Sequence, residues 1–343
     1  MTPINLNEVE ATLRKLNQKG FCSHPRQSGN ECSYKVTDAH TVQRRGGLSA
    51  IAEDGHVLTV GSPIFQMSKH RGSSPLRRIG VGNASIFPGF CNKHDVQLFK
   101  SIETKDVVLD AQSSLRFAYR AITFERFRKL AAFKFSDTLM QCDRGKPLEA
   151  QAEIQQGIQY YKSGMKVALR DMETWKARYD DCILSGRLEG FRYWFVRFDR
   201  LLPIAGCTAF YPEIDFNGVK LQDLGELNRL LEHIALNITS YDGQTVGCFG
   251  WFGSDDGPSA RLVNSLKALP TTRIADAFVR IVFEHSENIF LRPSWWEGLD
   301  HHKQEVLQSH MRSGVLFLAK ESGNIADKGV EYVEANVVET SSG

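Results

Sequence analysis

Four side chains near the amino terminus are of the types, and at the spacing, that could hold a zinc ion: Cys22, Cys32, Cys91 and His94. The tight pair is Cys91-Asn92-Lys93-His94, at the start of an amphipathic stretch. Structural zinc takes four thiolate or imidazole ligands, and a short-range pair lowers the entropic cost of assembling the cage. Cys22 and Cys32 would supply the second pair, across a longer span than an ordinary knuckle; His24 could stand in for either. The bland alternative makes the cysteines small buried hydrophobes and His94 an ordinary first-turn residue. Three of the seven cysteines and five of the ten histidines fall within the first 94 residues, and that concentration favours the metal.

Between the two halves of this cage lies TDAHTVQ, with Asp38 and His40, and Asp95 directly follows His94. Two cysteines, a hairpin bearing a histidine, then a helix opening on a tight ligand pair is an order that resembles the zinc-bearing HNH (ββα-metal) nucleases. The resemblance spans Cys22 to Phe99. It implies a treble-clef-like zinc module in which His40 is the general base that activates water. Asp95, with Asp38 as an additional ligand, would hold a catalytic Mg2+ or Mn2+ that neutralises charge on the scissile phosphate. The implied activity is metal-dependent cleavage of nucleic acid, DNA in the first instance, in a layout suited to bacterial defence against foreign DNA. Two departures bear on this: Ala39 precedes His40 where the family has Asp or His, and HDVQLF lacks a further His or Asn. A non-catalytic zinc-dependent nucleic-acid-binding or regulatory protein is the main alternative.

Arg44, Arg45, Lys69, Arg71, Arg77 and Arg78 suit sequence-independent phosphate contacts, or else solvate a loop. Residues 1–200 carry 31 Lys and Arg against 21 Asp and Glu, whereas residues 201–343 carry 11 against 19. The basic part is where a polyanion would bind.

The elements that must position these groups belong to an α+β chain of 343 residues. Residues 1–110 read as the zinc module, with a helix over 5–18, a strand over 56–60 and a long loop over 61–85. Residues 111–190 read as a helical hairpin. Its second helix bears Ile154, Ile158, Tyr161, Met165, Ala168, Met172, Trp175 and Tyr179 at heptad spacing. Packing on residues 111–135 accounts for this seam; a homodimer or a helical partner through 154–179, making the chain an oligomeric scaffold, is the alternative. Residues 191–332 read as an α+β domain of strands covered by helices, and 333–343 as a flexible tail. His301, His302 and His310 read as surface histidines. No apolar run approaches the ~18 residues of a membrane span, no secretory signal is visible, and scattered cysteines suit a reducing cytoplasm.

Overall fold

A computed structural model of the chain describes residues 6–25, 31–61, 76–104, 107–226, 228–315 and 325–343. The fold is mixed α+β with antiparallel sheets. Helix α1 (Leu6–Gln18) leads to strand β1 (Val36–His40), an irregular turn over 44–48 that runs into one helical turn over Ser49–Ile51, β2 (His56–Val60), β3 (Leu76–Gly80), β4 (Ile86–Cys91) and α2 (Asn92–Phe99). Two long helices follow. Asp110 caps α3 (Ala111–Leu139) by accepting from the Ser113 amide at 2.8 Å. Helix α4 (Leu148–Ser185) starts behind Pro147 and stops at Gly186, whose φ of 72° is the left-handed C-terminal position.

The carboxyl-terminal part contributes β5 (Phe191–Phe198), β6 (Ile204–Phe210), β7 (Ile234–Tyr241) and β8 (Gln244–Phe252). Asp242 and Gly243, both at positive φ, make the tight turn of the β7–β8 hairpin. Then come α5 (Pro258–Lys267), α6 (Thr271–His285), β9 (Ile289–Leu291), α7 (Pro293–Gly298), α8 (His301–Val315) and β10 (Val337–Ser342).

Eight strands form one sheet in the order β10-β5-β8-β7-β6-β9-β2-β3, every neighbouring pair antiparallel. Both faces are buried, and β6 and β7 are buried without a break, with Thr208, Asn237, Thr239 and Ser240 among their apolar residues. Along β7 the side chains still alternate: Ala235 enters the core under α3 and α4, while Leu236 and Ile238 enter the core under α5, α6 and α8. Val57 and Leu58 of β2 divide between the same two cores. The first of these cores joins Phe87, Phe90 and Phe99 to Tyr119 and Phe127 of α3, Trp175 of α4, and Phe195 and Phe252 of the sheet. Residues of the expected zinc module, helical hairpin and carboxyl-terminal domain thus share one interior.

Four local expectations are corrected. The strand bearing His40 is not half of a local hairpin: β1 pairs with β4, and the chain between them supplies β2 and β3 to the large sheet. The stretch 61–85 is not all loop, because residues 76–80 form β3; residues 62–75 lie outside the described residues. The tail at 333–343 includes β10, which pairs with β5 along the sheet edge. His310, expected at the surface, is buried, with Nδ1 3.0 Å from Glu284 Oε2, whereas His301 and His302 are exposed.

The heptad seam lies along α3. Met172, Trp175 and Tyr179 are buried over the sheet, and the Trp175 indole N–H donates to the Leu231 carbonyl at 2.7 Å. Ile154, Ile158, Tyr161, Met165 and Ala168, further from the sheet, are only half-buried.

Candidate metal centre

The cage is assembled at the carboxyl-terminal end of β4. Residues 21–23 run beside this strand, with the Phe21 amide donating to the Pro88 carbonyl at 3.0 Å and the Ser23 amide to Gly89 at 2.8 Å. Gly20 permits that approach, since a Cβ there would sit 2.5 Å from the Pro88 side chain. Cys22 is thereby fixed between two pinned residues. Cys32 lies in the extended stretch before β1, where Tyr34 (φ 58°) donates its amide to Cys32 Sγ at 3.4 Å. Cys91 ends β4 and is the N-cap of α2. His94 lies three residues on, in the first turn, so the two side chains meet on one helix face.

Sγ of Cys22 and Sγ of Cys91 lie 3.4 and 3.3 Å from His94 Nδ1. The ligand atoms of Cys22, Cys32, Cys91 and His94 all fall within 4.8 Å of one another. A zinc tetrahedron with bonds of about 2.0–2.3 Å has edges of about 3.3–3.8 Å, a range that contains both His94 distances. The thiol energetics agree. Burial pushes Cys22 up to about 11, with the negative charges of Cys91 and Cys32 adding to the rise. Burial opposes ionisation of Cys91 too, but hydrogen bonds from Ser33, the His94 amide and Cys32 outweigh it and hold this thiol at about 6. Without a metal, ionisation is favoured at Cys91 and opposed at Cys22; a divalent cation would favour the thiolate at both. The Cys3His cluster could therefore hold a metal ion such as zinc.

His24 is not a member of the cluster. Its ring stacks on that of His94, with centroids 3.9 Å apart and planes 9° apart, and its Nδ1 donates to the Pro25 carbonyl at 2.8 Å. It orients the ligand ring from behind.

Among the described residues this is the one group of three or more His, Cys, Asp or Glu side chains that could hold a metal. Asp38, His40 and Asp95 do not form a second. Asp38 is exposed on β1. His40 is half-buried at the far end of β1, opposite Ile86. That end is held down where the Asn288 side-chain amide donates to Thr41 Oγ1 at 2.7 Å. Asp95 is half-buried in the first turn of α2. Neither His40 Nε2 nor Asp95 Oδ1 has a hydrogen-bond partner. Burial lowers the His40 pKa and the Arg120 charge lowers it further, partly offset by Glu103. Burial raises that of Asp95, against the pull of Arg120.

Of the basic residues, Arg44 and Arg45 are exposed in the turn after β1, and the Arg44 guanidinium reaches over the β3–β4 turn, 3.9 Å from where a Cβ on Gly82 would lie. Arg77 and Arg78 are consecutive and exposed on β3, the edge strand, and face opposite sides of the sheet. They also charge the edge of the sheet, which deters pairing with another strand. Lys69 and Arg71 lie outside the described residues.

Sequence reasoning missed Arg120 and Glu103, whose charges act on both His40 and Asp95. The available signal was a lone arginine in the apolar run AYRAITF of α3. Compared with protein-family models, with curated proteins and with solved structures, the chain finds no match.

Proposed function

We propose that residues 21–104 are a treble-clef-like module, held by a structural zinc on Cys22, Cys32, Cys91 and His94, that binds the phosphate backbone of nucleic acid, DNA in the first instance. The supporting observation is the cage itself. It locks the β1–β4 pair to the start of α2, and the far end of that pair presents His40 with Arg44 and Arg45 in the following turn. Backbone contacts of this kind give affinity that falls steeply with salt. Fluorescence anisotropy with a labelled duplex, at about 50 and 200 mM salt, tests this. The expected result is salt-sensitive binding that a chelator abolishes and that weakens in Arg44→Ala and Arg45→Ala. A zinc-loaded, folded protein that does not bind at low salt would end the reading.

A second reading, phosphodiester cleavage, is favoured by one observation: His40 Nε2 is unpartnered and its imidazole is kept neutral by burial and by Arg120, as a general base requires. Asp95 would then hold a Mg2+ or Mn2+ ion together with solvent. Plasmid nicking in either ion, lost in His40→Ala, supports it; nicking that survives His40→Ala removes His40 from the chemistry. The same basic face would serve defence against foreign DNA.

A further inference from the structure

Behind His40 the interior holds polar groups that the fold does not satisfy. Arg120, 1% exposed, lays its guanidinium 4.1 Å from the centroid of the Phe99 ring. One terminal nitrogen donates to Glu103 Oε1 at 2.6 Å, while Nε has no partner. Gln43 gives its amide to the Glu103 carbonyl at 3.0 Å, and its own Oε1 is buried and unpartnered. With His40 Nε2 and Asp95 Oδ1, four polar atoms around one buried cation lack partners. Buried polar atoms left in this state are rare and mark a missing water, ion or ligand.

The pair is asymmetric. The Arg120 side chain is 2% exposed and that of Glu103 is 38% exposed. The cation is therefore fixed inside and the carboxylate stands at the rim. The backbone beside Glu103 is anchored separately: the Ile102 carbonyl accepts from Tyr241 Oη at 2.6 Å, and the Glu103 carbonyl accepts from Gln43. The carboxylate can swing into solvent without disturbing either anchor. Doing so leaves the Arg120 guanidinium without its carboxylate, in a region where the charges of Arg120, Glu103 and the exposed Arg44 all act on the His40 ring. A planar guanidinium fork with a second arginine near it is the recognition chemistry of a phosphate, and the Asp95 carboxyl, whose ionisation burial opposes, is the acidic neighbour left beside it.

We propose that Glu103 stands in for a phosphate-class oxyanion: Arg120 is a phosphate-binding arginine, assisted by His40 and Arg44, and Glu103 leaves it when the oxyanion enters. The site lies at the same end of β1 as the nucleic-acid surface proposed above and names the group recognised there. Its test does not need nucleic acid to bind.

Inorganic phosphate is titrated, at constant ionic strength, into the zinc-loaded full-length chain, with calorimetry and thermal unfolding as readouts. Saturable binding is expected. Glu103→Gln, which removes the competing charge at a rim position, is expected to bind about tenfold tighter, since charge-assisted bonds of this kind are the strong ones. Arg120→Lys, which keeps the charge and loses the fork, is expected to bind about tenfold weaker. Phosphate also stabilises proteins generally by exclusion, but that effect does not saturate and is equal in all variants. A folded Glu103→Gln whose affinity for phosphate is unchanged or lower overturns the proposal, and so does the absence of any saturable phase. The source of the group follows from competition. An oligonucleotide that competes only when 5′-phosphorylated identifies a phosphate monoester, and one that competes equally in both forms identifies the diester backbone; either result upholds the site. Phosphate binding without nucleic-acid binding would refute the function proposed above and leave this site standing.

Discussion

Removing the metal is expected to loosen one segment and spare the rest, and the structure says how far. Besides the cage, the described residues 21–25 and 31–35 reach the body through Phe21, which packs beside Phe127, and through four hydrogen bonds. The Phe21 and Ser23 amides bond to β4, the Lys35 carbonyl accepts from the Asn92 amide at 3.1 Å, and the Glu31 carbonyl accepts from Lys93 Nζ at 3.0 Å. At about 1 kcal/mol each, these bonds hold the segment by about 4 kcal/mol, against about 10 kcal/mol or more for a structural zinc. On chelation, or in Cys91→Ser, amide protection across 21–25 and 31–35 should fall to about 1,000-fold, the value that a 4 kcal/mol opening allows. Strand β4 and the inner face of α2 should stay protected, because Phe87, Phe90, Leu98 and Phe99 are buried in the core that α3 shares. The assay is hydrogen exchange read by mass spectrometry, alongside metal analysis, with about one zinc per chain expected. Two results would refute the reasoning. A metal-free protein with unchanged exchange at 21–35 would dismiss the cage. Global unfolding on chelation would dismiss the separation between cage and core.

Asp180 accepts from Tyr119 Oη at 2.8 Å and from Lys176 Nζ at 2.7 Å, and burial holds the Lys176 pKa down, so Asp180→Ala strands a buried ammonium; it should cost about 3 kcal/mol in urea unfolding, and a cost under about 1 kcal/mol would mean that Lys176 finds another partner. His233, buried beside the Tyr211 ring and faced by Lys129, is pushed down to about 3 by burial, so below its ordinary 6.5 the unfolded chain takes up a proton that the folded chain refuses. Stability should therefore fall with pH from 6.5 towards 3, by up to about 1.4 kcal/mol per pH unit from this group, and His233→Gln should flatten that slope; an unchanged slope would assign it elsewhere. Along the seam, Met172→Ala should cost about 2–4 kcal/mol and half-buried Ile158→Ala less than about 1 kcal/mol. Equal costs, with a dimer in light scattering that Met165→Lys dissociates, would show that a second copy covers the outer half of α4.

What could be read from the sequence follows from how local each signal is. Helices α3 and α4 were legible because long runs at helical spacing repeat their own evidence, and the Cys91–His94 pair because its ligands share one helical turn. Cys32 needed a tertiary placement that no local pattern announces, yet its residue type was enough to include it. Strand β10 was missed because an exposed edge strand has no buried face, and VVETSS shows no apolar alternation. The partner of β1 was missed for another reason. Antiparallel pairing across an inserted segment leaves no trace in the spacing of either strand. The Arg120–Glu103 pair stayed hidden because a single charge in an apolar helix reads equally well as a surface residue on a helix edge.

The pairing of β2 with β9 has a consequence for how the protein comes into being. Thr59 Oγ1 donates to the Ile289 carbonyl at 2.8 Å, a contact between residues 230 positions apart. All four candidate zinc ligands have left the ribosome long before residue 289 is made, at about 5–20 residues per second. For that interval the amino-terminal part can close its cage while β2 and β3 have no strand to lie against. Metal capture would then be an early step and sheet completion a late one. The unpaired β2–β3 edge, with Val57 and Leu58 uncovered, is the surface a chaperone would have to shield in a nascent chain.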